Sequence, residues 1–380
     1  MSNPQKFIRK KKLPTFNNPS YNNHNQLINL LVRECDSLHP HEKDFINKSY
    51  KNLGREFVEK MAADNQITPF AAHILSSLDH DTEYWKKKHT QFILRNTAIK
   101  SLIDTVFVAF KQYNCSSVTL TENFAVVLST NSCIGCFCSG DVDLSADIAE
   151  QKLITECLNS IGFNSNDQPR LIGEYSGQSM QFFNKNVLKK GFWINVIWKP
   201  VTRAFLVQDK YEKRLSVDRL NAVLVPGTSI RVLDDDSLMY FCALHISAGH
   251  YFTMTPGLRL YIDIDRLARA KTISWKKILE WENQDNAGIR ISTTLYLSSK
   301  LLKTPIPDAA YKKSFKNFRN RILVQYLIDK KTNQIQNKSS LLRRLYIELA
   351  SDNRNILVNF FSRFFSFLLI KINTQQTNES

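Results

Sequence analysis

The chain has 380 residues, 43% of them hydrophobic, which is enough to bury a sizeable core in two or three domains or subdomains and excludes a disordered protein. Fifty-one Lys and Arg stand against 35 Asp and Glu, and the net charge of +16 favours a polyanionic partner: a nucleotide, a nucleic acid or an anionic membrane surface. Seven cysteines, an odd number scattered from Cys35 to Cys242, exclude the dense framework of a small secreted domain and fit a reducing cytoplasm.

Residues 1–24 are basic and rich in Asn, Pro and Ser, with no apolar stretch of the signal-peptide kind, and read as a flexible arm. From 25 to 113 apolar residues recur at three- and four-residue spacing, in "QLINLLVREC", "LGREFVEKMAADN", "PFAAHILSSL" and "TQFILRNTAIKSLIDTVFVAFKQY", which predicts an N-terminal helical region. The period then changes to two. Within an α/β core over 114–232, "SSVTLTE" (116–122), "GDVDLSAD" (140–147) and "FWINVIW" (192–198) read as strands, and "QKLITECLNSIGF" (151–163) as a helix between them.

Helical spacing returns over 233–309, where Asp234, Asp235 and Asp236 suit a helix N-terminus. Residues 310–380 are basic and amphipathic. Between 311 and 345 stand ten Lys or Arg and one acidic residue, either a solvated helical face or a patch for phosphates or an anionic surface. The most apolar run, 356–372, is interrupted by Asn359, Ser362, Arg363 and Ser366, so it falls short of a membrane span. It reads as a helix docked on the core, with peripheral contact at a membrane as the other reading.

The chemistry centres on "CFCSGDVDLSAD". On a strand, residues i and i+2 share a face, so Asp141 and Asp143 present two carboxylates side by side while Val142 turns to the core. Two charges that close need a cation between them, and Mg2+ commonly takes one or two carboxylates together with substrate phosphates. Gly140, without a Cβ, would let a triphosphate approach the backbone. The plain alternative is a turn at a strand end, where Asp-x-Asp is common.

Several stretches between about 57 and 307 resemble the uncharacterised nucleotidyltransferase family, a branch of the DNA polymerase beta-like superfamily. They are the helical preface "FVEKMAADNQITPFAAHIL", the long helix running into "SSVTL", "GDVDLSAD" followed by a helix ending in Gly162-Phe163, and a helical block with His245, Asp263-Ile264 and Trp275 that closes at "LLKTPIPD". The resemblance implies an α/β (α+β) fold, a small mixed nucleotidyltransferase-type sheet flanked by N-terminal and C-terminal helical regions. It also implies transfer of a nucleotidyl group from a nucleoside triphosphate bound with Mg2+ (or Mn2+) to a hydroxyl acceptor that the sequence does not identify, with release of pyrophosphate. Asp141 and Asp143 match the family's metal-binding pair, and Asn123 and Gly140 fall at nucleotide-binding positions.

The chain departs from the pattern at several of these places. Asn195 stands where a third carboxylate belongs, and Ile197 where relatives have histidine. Glu122-Asn123 replaces Lys-Gly ahead of a helix, and Phe137 takes the place of an arginine. An active transferase and a catalytically degenerate binding or scaffold module of the same fold both remain open, with no specific nucleic-acid partner expected.

Other constellations read as structural. Cys133, Cys136 and Cys138 in "CIGCFC" lack a second Cys pair or a nearby histidine in the sequence, so they read as small apolar filler. His245 and His250, five apart, do not align on an α-helical face, and His245 is expected to pair with Asp263. Phe192, Trp193, Trp198 and Tyr240 read as core.

Overall fold

The computed structural model describes residues 26–327 together with 346, 347 and 350, except for 35–36, 79–80, 122, 138–139, 166–178, 189–190, 199–221, 253–257, 286, 313 and 317. The expected arm over 1–24, most of the basic stretch after 327, the apolar run 356–372, Cys138 and Glu122 therefore lie outside the described residues. A mixed α/β fold is observed, with a seven-stranded sheet and helices before and after it in the chain.

A helical stretch at 26–31 is followed by α1 (Pro40–Leu53), α2 (Arg55–Asp64), α3 (Thr68–Ser76) and the long α4 (Thr82–Gln112). Apolar spacing did not announce α1, because Ile46 and Tyr50 are its only buried residues. Its start is marked instead by Pro40 and by Glu42, whose carboxylate accepts the His39 N–H at 3.0 Å. Helix α4 begins eight residues before the expected apolar run, because Trp85, fully buried, donates its indole N–H to Tyr50 Oη at 2.9 Å.

The sheet holds β1 (Thr119–Leu120), β2 (Asp141–Ser145), β3 (Asn164–Ser165), β4 (Ser179–Asn184), β5 (Phe192–Ile197), β6 (Ala222–Leu224) and β7 (Arg231–Leu233), in the order β3-β4-β5-β2-β1-β7-β6. Strand β2 runs parallel to β5 and antiparallel to β1, and β1 runs parallel to β7. The expected strand over 116–122 shrinks to two residues in β1, and four strands appear that alternation did not single out. Between β1 and β2, Phe124–Thr130 forms a short helix, α5, and α6 (Gln151–Ser160) crosses over after β2. Gly162, at φ +85°, turns the chain out of α6 and leaves room for the Asn184 amide, which a Cβ there would meet at 3.0 Å.

Beyond the sheet come α7 (Asp235–Leu244), α8 (Arg259–Ala270), α9 (Trp275–Gln284), α10 (Gly288–Leu302), α11 (Ala309–Lys312) and α12 (Phe318–Leu327). Asp234 caps α7 by accepting the Ser237 N–H at 2.8 Å. Its two neighbours tie elements together: Asp235 accepts from Ser129 Oγ on α5 at 2.7 Å, and Asp236 from the Ser274 N–H ahead of α9 at 2.8 Å. Phe192, Trp198 and Tyr240 are buried, whereas Trp193 is half-buried against Phe183, ring centroids 4.5 Å apart. No helix among the described residues is long and apolar enough to cross a membrane.

Candidate active site around Asp141 and Asp143

Strand β2 lies next to β1 on one side and β5 on the other, so its side chains sit well inside the sheet. Val142 and Leu144 point into the core at 3% and 1% exposure. Asp141 and Asp143 share the opposite side of the pleat, Asp143 buried and Asp141 half-buried. On the neighbouring parallel strand Asn195 lies directly abreast of Asp143, and on β4 Gln181 lies abreast of Asn195. The backbone register thus lays one polar row across three strands.

The side chains in that row bond to each other. Asn195 donates Nδ2–H to Asp141 Oδ2 at 3.0 Å and to Asp143 Oδ1 at 2.9 Å. Its own Oδ1 accepts from Gln181 Nε2 at 2.6 Å. With both amide hydrogens given to carboxylates, the neutral side chain partly offsets two neighbouring negative charges and fixes their orientation. Asn195 thus reaches both aspartates, as its expected place on the neighbouring strand predicts. Gln181 was missed, because "SMQFFN" has no clean alternation to mark it as a strand.

Two neighbouring elements complete the surroundings. Thr121 N–H and Oγ1 both donate to the Asp143 carbonyl at 3.1 Å. Asn123 follows with φ 39° and ψ −91°, a positive φ that asparagine tolerates better than most residues, and leads into α5. Its N–H is given to Asp263 Oδ2 at 3.2 Å. An amide expected near phosphate is therefore already matched with a carboxylate of the chain. Burial pushes the Asp263 carboxyl up to about 6, against the pull of Arg259, Arg266 and that N–H. Phe137, where the resemblance leads one to expect an arginine, is buried on the Phe124 ring with centroids 4.8 Å apart. Among the described residues nothing crowds Gly140: a Cβ there would meet none of their atoms within 4 Å.

The model of the uncharacterised nucleotidyltransferase family matches residues 55–303. The chain belongs to this family. No curated protein and no solved structure was found to match it. For this nucleotidyltransferase-family chain, the match spans the helical preface, the sheet with the Asp141–Asp143–Asn195 row, and the helices through α10.

Two expectations are corrected. Among the described residues, the hydrogen bond Asp263 makes is with the Asn123 N–H at Oδ2, not with His245. His245 instead meets His250, with Nε2 atoms 2.9 Å apart, because residues 245–249 form a π turn. A π turn brings positions i and i+5 onto one face, which an α-helix would not. The buried Arg290 donates to the Ser247 carbonyl within this turn at 3.0 Å. The second correction concerns the cysteines. Folding brings His73 of α3 beside Cys133 and Cys136 and His89 of α4 beside Cys133, so a nearby histidine exists that linear spacing hid. In that cluster the Cys133 thiol is driven down to about 2, chiefly by a hydrogen bond from Cys136, with His73 and His89 adding to it against burial.

Proposed function

We propose that the chain transfers a nucleotidyl group from a nucleoside triphosphate to a hydroxyl acceptor, with Asp141 and Asp143 as the pair that holds the divalent cation, Mg2+ or Mn2+. The observation that carries this reading is the pair itself. Two carboxylates converge on one side of an interior strand, held in line by a shared amide and next to Gly140, which no described residue crowds. When bound, such a cation would neutralise the phosphates and the developing charge on the leaving pyrophosphate.

The residues of the chain position and balance charge. Asn195 orients both carboxylates; turned over in concert with Gln181, its amide would present oxygen instead of N–H to the space the carboxylates face. Being neutral, it is a poor base. The acceptor oxygen would attack the α-phosphorus, the bond to the bridging oxygen would break, and pyrophosphate would leave with the electron pair. The hydroxyl proton would pass to one of the two aspartates or to solvent. The basic C-terminal stretch would serve an anionic surface, and the chain would work in the cytoplasm.

A second reading is favoured by one specific feature. With its amide hydrogens on both carboxylates, Asn195 satisfies the row without a cation, as a degenerate binding or scaffold module would require. Calorimetry with ATP, GTP, CTP and UTP, with and without Mg2+, separates the two. Metal-dependent binding that is lost in the Asp141→Ala, Asp143→Ala double variant supports the transferase. A folded wild-type chain that binds none of the four triphosphates supports the scaffold.

A further inference from the structure

Away from the aspartate row, three side chains with metal-binding atoms meet, and a fourth, His89, adjoins two of them. His73 comes from α3, His89 from the second turn of α4, and Cys133 and Cys136 from the turn before β2, whose 3-10 segment is Ile134–Cys136. His73 Nδ1 lies 3.3 Å from His89 Nε2, and Cys133 Sγ lies 3.6 Å from the same nitrogen. The ligand atoms of His73, Cys133 and Cys136 all lie within 4.8 Å of one another.

These separations have a simple meaning. Around a tetrahedral zinc, with nitrogen at about 2.0–2.1 Å and sulfur at about 2.3 Å, two nitrogens stand roughly 3.3 Å apart and a nitrogen and a sulfur roughly 3.6 Å. We infer that His73, Cys133 and Cys136 form a structural site for a borderline-soft divalent cation, zinc, separate from the aspartate pair, with His89, which already adjoins His73 and Cys133, swinging in as the fourth ligand when the cation binds.

The surroundings support the geometry. Cys133 and Cys136 are two residues apart on a tight turn, with the Cys136 N–H bonded to the Cys133 carbonyl at 2.9 Å. The buried Asn96 of α4 clamps that turn, its Nδ2 donating to the carbonyls of Ile134 at 2.7 Å and Phe137 at 3.0 Å. Gly135 lies against the His89 ring so closely that a Cβ would fall 2.5 Å from Cε1. No bulkier residue would leave the ring where it is.

The outer contacts fit as well. His73 turns its other nitrogen, Nε2, towards Glu34 Oε2 at 3.6 Å, and Glu34 in turn is held by Arg266 at 3.1 Å. A carboxylate behind a histidine is the usual support of a metal-bound imidazole. Among the described residues, the side-chain hydrogen-bonding neighbours of His89 are His73 and Cys133, and its buried Nδ1 has no partner. Two thiolates and two neutral imidazoles balance a divalent charge, so the cation could be buried without further compensation.

Elemental analysis of the full chain, purified without chelator, tests this, together with the spectrum of the cobalt(II)-substituted protein. One zinc per chain and a tetrahedral, thiolate-ligated cobalt spectrum are expected. The Cys133→Ser, Cys136→Ser double variant should lose both, while Asp141→Ala, Asp143→Ala should keep them, so failure at the aspartate pair leaves this site standing. A folded wild-type chain with no stoichiometric zinc after supplementation overturns the inference. So does an octahedral cobalt spectrum, a Cys133–Cys136 disulfide in the reduced cytosolic preparation, or zinc that departs with the aspartates instead. Because the wild-type measurements need no variant to fold, an unfolded double variant still leaves a decisive result.

Discussion

The amide nitrogen of Asn195 bridges Asp141 Oδ2 and Asp143 Oδ1 at 3.0 and 2.9 Å, donating one hydrogen to each. Asn195→Asp would replace a donor with a third negative charge. Two hydrogen bonds to charged groups, worth roughly 1.5–3 kcal/mol each, would be lost and repulsion added. The variant is expected to melt well below the wild-type chain in EDTA and to regain most of that loss on adding Mg2+. Thermal melts with and without the metal check this, and equal melting in both conditions would count against a cation at the aspartate pair.

Asp263 gives a pH signature. Its carboxyl is raised from 3.8 to about 6 by burial, so folding favours the protonated form. The stability this contributes is complete below pH ~4 and is lost as pH rises through about 6. Asp263→Asn keeps an oxygen to accept the Asn123 N–H and removes the titration. Unfolding free energies measured from pH 4 to 7 should show the wild-type chain losing on the order of 1–3 kcal/mol relative to the variant across that window.

Glu150 works in the opposite direction. Burial opposes its charge, yet the N–H and hydroxyl of Ser117 and of Ser116 all donate to it, at 2.6–3.1 Å, and its carboxyl is held below the usual range. That contribution is present above the ordinary pKa of 4.5 and is lost as pH falls below it. Glu150→Ala should lower stability at pH 7 by roughly 1–2 kcal/mol, a figure discounted for the partial exposure of the site. Denaturant unfolding at pH 7 and pH 4 should show the difference shrinking in acid.

Gly135→Ala would bring a methyl group to 2.5 Å from His89 Cε1 and 2.8 Å from Ile93 Cγ1. Both neighbours sit on the rigid helix α4, so the turn has to move, at a cost of about 1–3 kcal/mol. Urea unfolding measures the loss, and Gly54→Ala offers a contrast: its Cβ would meet nothing within 4 Å, leaving only the strain of φ +78°.

Much of this architecture could be read from the chain. Alternation around "GDVDLSAD" put both aspartates on one face with Val142 inward, and the strand "FWINVIW" brought Asn195 to them. The helical blocks after Asp234 announced themselves by apolar spacing and an acidic cap. What stayed hidden has physical causes. Strand β6 exposes Val223 and Leu224 at a sheet edge, so no buried face shaped its pattern. The meeting of His245 with His250 depends on a π turn, a backbone choice that side-chain periodicity does not reveal. His73 and His89 lie more than forty residues before Cys133, and only the packing of α3 and α4 against the cysteine turn joins them. Asp263 reaches Asn123 across 140 residues, for the same reason.

The long helix α4 grips the sheet at two far-apart places. Asn96 holds the turn that leads into β2, and Asp104 accepts the Ser229 N–H ahead of β7 at 2.9 Å. A chain trimmed to begin at the first strand would surrender both grips and strip the carbonyls of Ile134 and Phe137 of the amide that clamps them. Any shortened version of the chain that is to keep the aspartate row therefore has to keep this helix with the sheet.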